Sequence, residues 1–349
     1  MIFDNKSFRY RNFRGLDFNL VIVIDKELLV IFNEDKIQLL ENELYMIFKN
    51  HPQFIEEGMK VGISILDEKQ FPYYAQIRHW KKPDLKKCHV NINAQFFIQN
   101  PNKMYQVLVH EITHWHDRAV SSRWMQSHMV SEHVEVNLIS MILHSLRNEA
   151  FANLRMFYAK AEENQLFDNK PHRIIYIGAG VDVDMDYLSY VREFKVKLLH
   201  IKKELLQSQN SSEDILKWVT ENHRFAYFLG AMMFYLILFY NMARNHQSEQ
   251  IQIFLDKKQT KRIDVNHIGK YLHRKRLYFG KVPLNTFEFT FNEVKKMRPA
   301  KFFILYLESC KKFGLYRNNL LIFEEPEIEL ILKHRNEIDK ELEWRNPFQ

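Results

Sequence analysis

The residues best suited to chemistry lie together in VLVHEITHWHDR, Val107 to Arg118. His110, Glu111 and His114 stand there in the spacing H-E-x-x-H. On a helix, residues i and i+4 lie one above the other on one face, so the two imidazoles can bind one metal ion. Zinc takes imidazole nitrogen at about 2.0–2.1 Å. Glu111 can take a proton from a zinc-bound water and later give it to a leaving amine. By composition alone the pattern arises in roughly one such chain in twenty or thirty, so its surroundings matter. Tyr105, Val107, Leu108, Val109, Ile112 and Trp115 give it an apolar surround without Gly or Pro, which predicts a buried helix. Two histidines and a glutamate are costly to bury without a partner, and a metal supplies one.

A catalytic zinc needs a third protein ligand and an open position. A third histidine in H-E-x-x-H-x-x-G-x-x-H is ruled out, because Asp117 stands at the glycine position and Val120 at the last ligand position. The other route is a glutamate on a second helix. RNEAFAN, Arg147 to Asn153, offers Glu149 within a long helical pattern. Glu132, Glu135, His128 and His133 are rivals for the same role.

H-E-x-x-H followed by a helix carrying N-E-x-x-x-N resembles the gluzincin metallopeptidases, the thermolysin-like branch of the zincins. The resemblance covers roughly residues 60–160. It implies His110, His114 and Glu149 as ligands of a Zn2+ cofactor and Glu111 as catalytic base. Asn153 falls where that branch often has an aspartate supporting a ligand histidine, and Asp117 is a second candidate for such support. The branch also places a His or Tyr beside the zinc to hydrogen-bond the developing oxyanion. His223 and Tyr227 are the candidates here. The resemblance further implies a substrate strand adding to an exposed sheet edge, with His89 to Asn93 lining the cleft.

The elements that must position these residues follow from pattern. Residues 16–33 predict one or two strands with Val21 to Ile24 as core. Asp35 to Asn50 has helical spacing at Ile37, Leu40, Leu44, Ile47 and Phe48. Residues 59–66, Ala75 to Trp80 and His89 to Phe97 read as strands. Asn102 is a plausible cap for the histidine helix and Ser131 for the glutamate helix, which runs to Glu163. Asp186 to Leu206 is a basic amphipathic helix. Gly178-Ala179-Gly180 lacks the rest of any phosphate-binding motif and reads as a turn. The expected fold is α+β: a zincin-like small mixed sheet, the active-site helix, the glutamate helix and a mainly helical C-terminal lobe. Residues 1–165 form the catalytic lobe and 166–349 the lobe completing the cleft.

The chain's 349 residues are 46% hydrophobic and 14% aromatic, enough for a substantial core. Only 9 Gly and 9 Pro favour long regular elements. Cys88 and Cys310 make no disulfide framework and fit a reducing compartment. No N-terminal signal peptide is visible, so the protein is expected in the cytoplasm or translocated into a host cell by a route needing none. Glu324, Glu325, Glu327 and Glu329 resemble the glutamate-rich tails of some bacterial effectors, which implies a host protein among the substrates. The apolar run Phe225 to Tyr240 is short for a membrane span and fits a buried helix.

The function expected is a zinc-dependent endopeptidase acting on a protein substrate. The alternative is a non-catalytic binding protein on the same scaffold. It would use the Lys- and Arg-rich segment 257–281 on nucleic acid or an anionic membrane, given the net charge of +7. The favoured reading expects neither nucleic acid nor a membrane span. A charge run of this kind is most often a solvated face.

Overall fold

β-branched runs build the first sheet. The computed structural model describes residues 6–13, 16, 18–55, 57–77, 86–121, 131–163, 174–176, 187–208, 211–244, 250–255, 259–264, 277–318 and 321–339. The chain divides into two units, Met1–Gln126 and Ser127–Gln349.

The first unit opens with strands β1 (Lys6–Phe13) and β2 (Phe18–Asp25), then helix α1 (Glu34–Asn50). Strands β3 (Met59–Leu66), β4 (Ala75–Ile77) and β5 (Lys87–Asn93) follow, then helices α2 (Ala94–Gln99) and α3 (Met104–Ser121). The strands form one five-stranded sheet in the order β1-β2-β3-β5-β4. β2, β3 and β5 run parallel, while the two edges β1 and β4 are antiparallel to their neighbours. Alternate residues of the strands are buried, such as Phe18, Leu20, Ile22 and Ile24 of β2. Phe18 meets Phe48 of α1 at 4.6 Å between ring centroids, and α3 packs on α1, β4 and β5. Asn33 caps α1 by accepting from the Lys36 N–H at 3.3 Å. Arg9 and Arg11 of β1 both pair with the buried Glu41 of α1, which ties that edge down.

Three expectations change here. β5 ends at Asn93, because the Asn93 side chain accepts from the Phe96 N–H at 2.9 Å and starts α2 where a strand to Phe97 was expected. His89 to Asn93 lies between β3 and β4, so the free edge on that side is β4. The histidine helix is entered through a 3-10 turn at Pro101–Lys103 rather than through a cap at Asn102.

The second unit holds α4 (Val134–Glu163), β6 (Ile174–Tyr176), α5 (Tyr187–Leu205), α6 (Ser211–Glu221) and α7 (His223–Arg244). It continues with β7 (Gln250–Leu255), β8 (Gln259–Asp264), β9 (Leu277–Pro283), α8 (Leu284–Lys295), α9 (Pro299–Lys312), α10 (Glu325–Lys333) and α11 (Arg335–Ile338). It is mainly helical. The four short strands form a second sheet in the order β6-β9-β7-β8, which the sequence reading did not anticipate.

α7 is the spine of this unit. It is long and apolar enough to cross a membrane, yet 83% of its most apolar window is buried within the protein. It packs along α4, and the approach needs a glycine: a Cβ on Gly230 would lie 2.3 Å from the Leu146 carbonyl oxygen. The Glu324 side chain and Glu327 close a capping box at the start of α10. Glu327 also holds Lys202 of α5 at 2.7 Å. These glutamates therefore have structural work in the fold. Of the basic segment 257–281, only residues 259–264 on β8 and 277–281 on β9 are described. Gly178 and Gly180 lie outside the described residues.

Candidate metal centre

The helical spacing does what the sequence implied. His110 and His114 are buried on α3, their rings cross at 88°, and their Nε2 atoms are 3.0 Å apart. Leu108, Val109, Ile112 and Trp115 are buried around them. Glu111 sits between the two on the half-buried side of the helix. Its Oε2 accepts a hydrogen bond of 2.8 Å from the backbone N–H of Ile77, the last residue of β4. In an antiparallel edge strand every second N–H points away from the sheet, so it is available for a ligand or a side chain. The Cys88 thiol of β5 is pushed up, first by its burial and then by the negative charge of Glu111.

In the second unit Glu149 is buried on α4, in a turn that also buries Asn148, Ala150 and Asn153. Its Oε1 lies 2.8 Å from Nε2 of His223, the first residue of α7, whose side chain is 54% exposed. Asn153, one turn on, donates through Nδ2 to the backbone oxygen of Tyr227 at 3.2 Å. Tyr227 is half-buried on α7. Two hydrogen-bonded connections therefore join α4 to the start of α7 on one side. Glu132, Glu135 and His133 are exposed. Glu135 faces Lys202, and the His133 ring lies against that of His334. His128 and the side chain of Asp117 lie outside what is described.

His110, His114 and Glu149 offer ligand atoms that all lie within 4.8 Å of one another. Two imidazole nitrogens and a carboxylate are a donor set suited to a divalent transition metal. A tetrahedral zinc with donors at about 2.0–2.2 Å holds neighbouring donors about 3.3–3.6 Å apart. The histidine pair at 3.0 Å is already close to that spacing. The residues present therefore fit the cation, and the group is a candidate metal site in a zincin-like arrangement after a mixed sheet.

Sequence reasoning missed the Ile77 N–H and the Glu149–His223 contact. No side-chain motif marks a backbone donor. His223 was singled out for another role, and only coordinates show which atom it meets. Compared with known proteins, the chain matches no family model, no curated protein and no solved structure.

Proposed function

We propose that this chain is a zinc-dependent endopeptidase, with His110, His114 and Glu149 as the ligands. The observation that carries the reading is the buried His-His-Glu group, with a further glutamate directly after the first histidine. Bound zinc would supply Lewis acidity, lowering the pKa of water toward neutrality and polarising a carbonyl oxygen.

The remaining work falls to the chain's own side chains. Glu111 accepts a proton from the attacking water and returns it to the departing amide nitrogen. The Ile77 N–H holds its carboxylate in one orientation, so less motion must be frozen during proton transfer. His223 positions Glu149 through the 2.8 Å contact. Tyr227, one turn later on α7, and His223 are the donors assigned to the developing oxyanion. The substrate is a protein segment in extended form, and a host protein is one such substrate. It adds to the β4 edge through main-chain hydrogen bonds. The working compartment is the cytoplasm, either of the producing cell or of a host.

The test pairs metal content with turnover. Protein purified without chelator should carry about one zinc per chain, and His110→Ala should lose it. Glu111→Gln should retain the metal and cleave a proteome-derived peptide library roughly 10²- to 10⁴-fold more slowly than the wild type. Cleavage by Glu111→Gln at the wild-type rate would sink the mechanism.

A further inference from the structure

α5 has two apolar faces, and only one is used by the core. Val191, Phe194, Leu198, Ile201 and Leu205 point inward and are buried. On the opposite side Val196 is 68% exposed, Leu199 56%, and Leu206, in the turn just after the helix, 84%. Arg192 and Lys203, both exposed, stand in the same line. The spacing 192, 196, 199, 203, 206 alternates four and three residues, which keeps all five on one helical face.

The charges around this stripe are sorted. Glu193 is engaged by Arg224, and Glu204 faces His200 at 3.7 Å. Lys195 and Lys202, on the flank, are held by Glu324, which caps α10, and by Glu327 of α10. Among the described residues Arg192 and Lys203 enter no ion pair, so the stripe itself is aliphatic and cationic.

We propose that this face of α5 docks on an anionic phospholipid surface. Val196, Leu199 and Leu206 enter the headgroup boundary, and Arg192 and Lys203 meet lipid phosphates and carboxylates. Charge complementarity selects this occupant over a second copy of the chain. A two-fold interface brings the patch against itself, which sets a stripe whose own charges, Arg192 and Lys203, are cationic against an identical stripe. An anionic bilayer neutralises the same cations while accepting the aliphatic side chains. The inference stands apart from the metal centre, since no stripe residue takes part in it.

The experiment is vesicle co-sedimentation of the full chain. The vesicles are phosphatidylcholine alone or phosphatidylcholine mixed with phosphatidylserine. The wild type should sediment with the mixed vesicles and much less with the neutral ones. Arg192→Glu and Lys203→Glu should each weaken binding by roughly five-fold or more. The combined Val196→Ser, Leu199→Ser and Leu206→Ser variant should fall to the level seen on neutral vesicles. All five side chains are exposed, so thermal unfolding should match wild type in each variant. Equal binding by wild type and the triple serine variant overturns the proposal, as does absence of wild-type binding to either vesicle. A wild-type dimer in gel filtration that the triple serine variant abolishes would assign the stripe to self-association instead.

Discussion

The histidine half and the glutamate half of the candidate centre are built on different principles. On α3 the two imidazoles are brought together by one helical turn, and the neighbouring Glu111 is held by a backbone N–H of β4. On α4 the carboxylate of Glu149 meets a side chain from α7, more than seventy residues away in sequence. The first support cannot be removed by exchanging a side chain, because the donor is main chain. The second can. The histidine half should therefore tolerate substitution around it better than the glutamate half.

Four substitutions sharpen or break that contrast. The largest effect is expected from Glu111→Gln. The amide oxygen can still accept from Ile77, so fold and metal content should persist while turnover falls by roughly 10²- to 10⁴-fold; peptide hydrolysis alongside metal analysis measures both.

Gly230→Ala comes next. Its Cβ would meet the Leu146 carbonyl oxygen at 2.3 Å, and backbone on a packed helix has little room to yield. Overpacking should cost about 1–3 kcal/mol, seen as a lower midpoint in urea unfolding. An unchanged midpoint would mean that α4 and α7 are not as tightly fixed as the structure has them.

His223→Ala removes the 2.8 Å contact to Glu149 and should weaken zinc binding by roughly 10- to 100-fold in chelator competition. If affinity is unaltered, the glutamate half is as self-supporting as the histidine half and the contrast fails.

Gly62→Ala is the mildest. The new Cβ would lie 2.4 Å from Nδ1 of His89, but that obstacle is a side chain that can turn away. The cost is the 2.9 Å contact between His89 and Ser64, about 1 kcal/mol. A Gly62→Ala, His89→Ala double variant should be no less stable than His89→Ala alone, because the contact is lost only once, which a two-by-two unfolding comparison would show.

Legibility in the sequence follows the same divide between local and distant contacts. Ile37, Leu40, Leu44, Ile47 and Phe48 announced α1 by their spacing, and all five are buried. β1 was missed because KSFRYRNF alternates cations with aromatics and lacks the aliphatic run of a core strand; its arginines serve Glu41 instead. The extent of β5 was overestimated because Phe96 and Phe97 suit a strand or a buried helix equally well. The Asn93 cap decided between them. The second sheet escaped notice because short strands lying between helices carry a weak alternation signal.

The sequence by itself determined that His110, Glu111 and His114 share one helix, because a turn of 3.6 residues makes their proximity a matter of spacing. It also determined that α7 is apolar on all sides and so belongs in a core. Tertiary structure alone decided that Ile77 would hold Glu111 and that His223 would hold Glu149. It alone decided too that β4 rather than β5 would be the free edge. Those outcomes depend on which elements pack side by side, and packing is settled by the shape and burial of whole surfaces rather than by the order of residues in any one stretch.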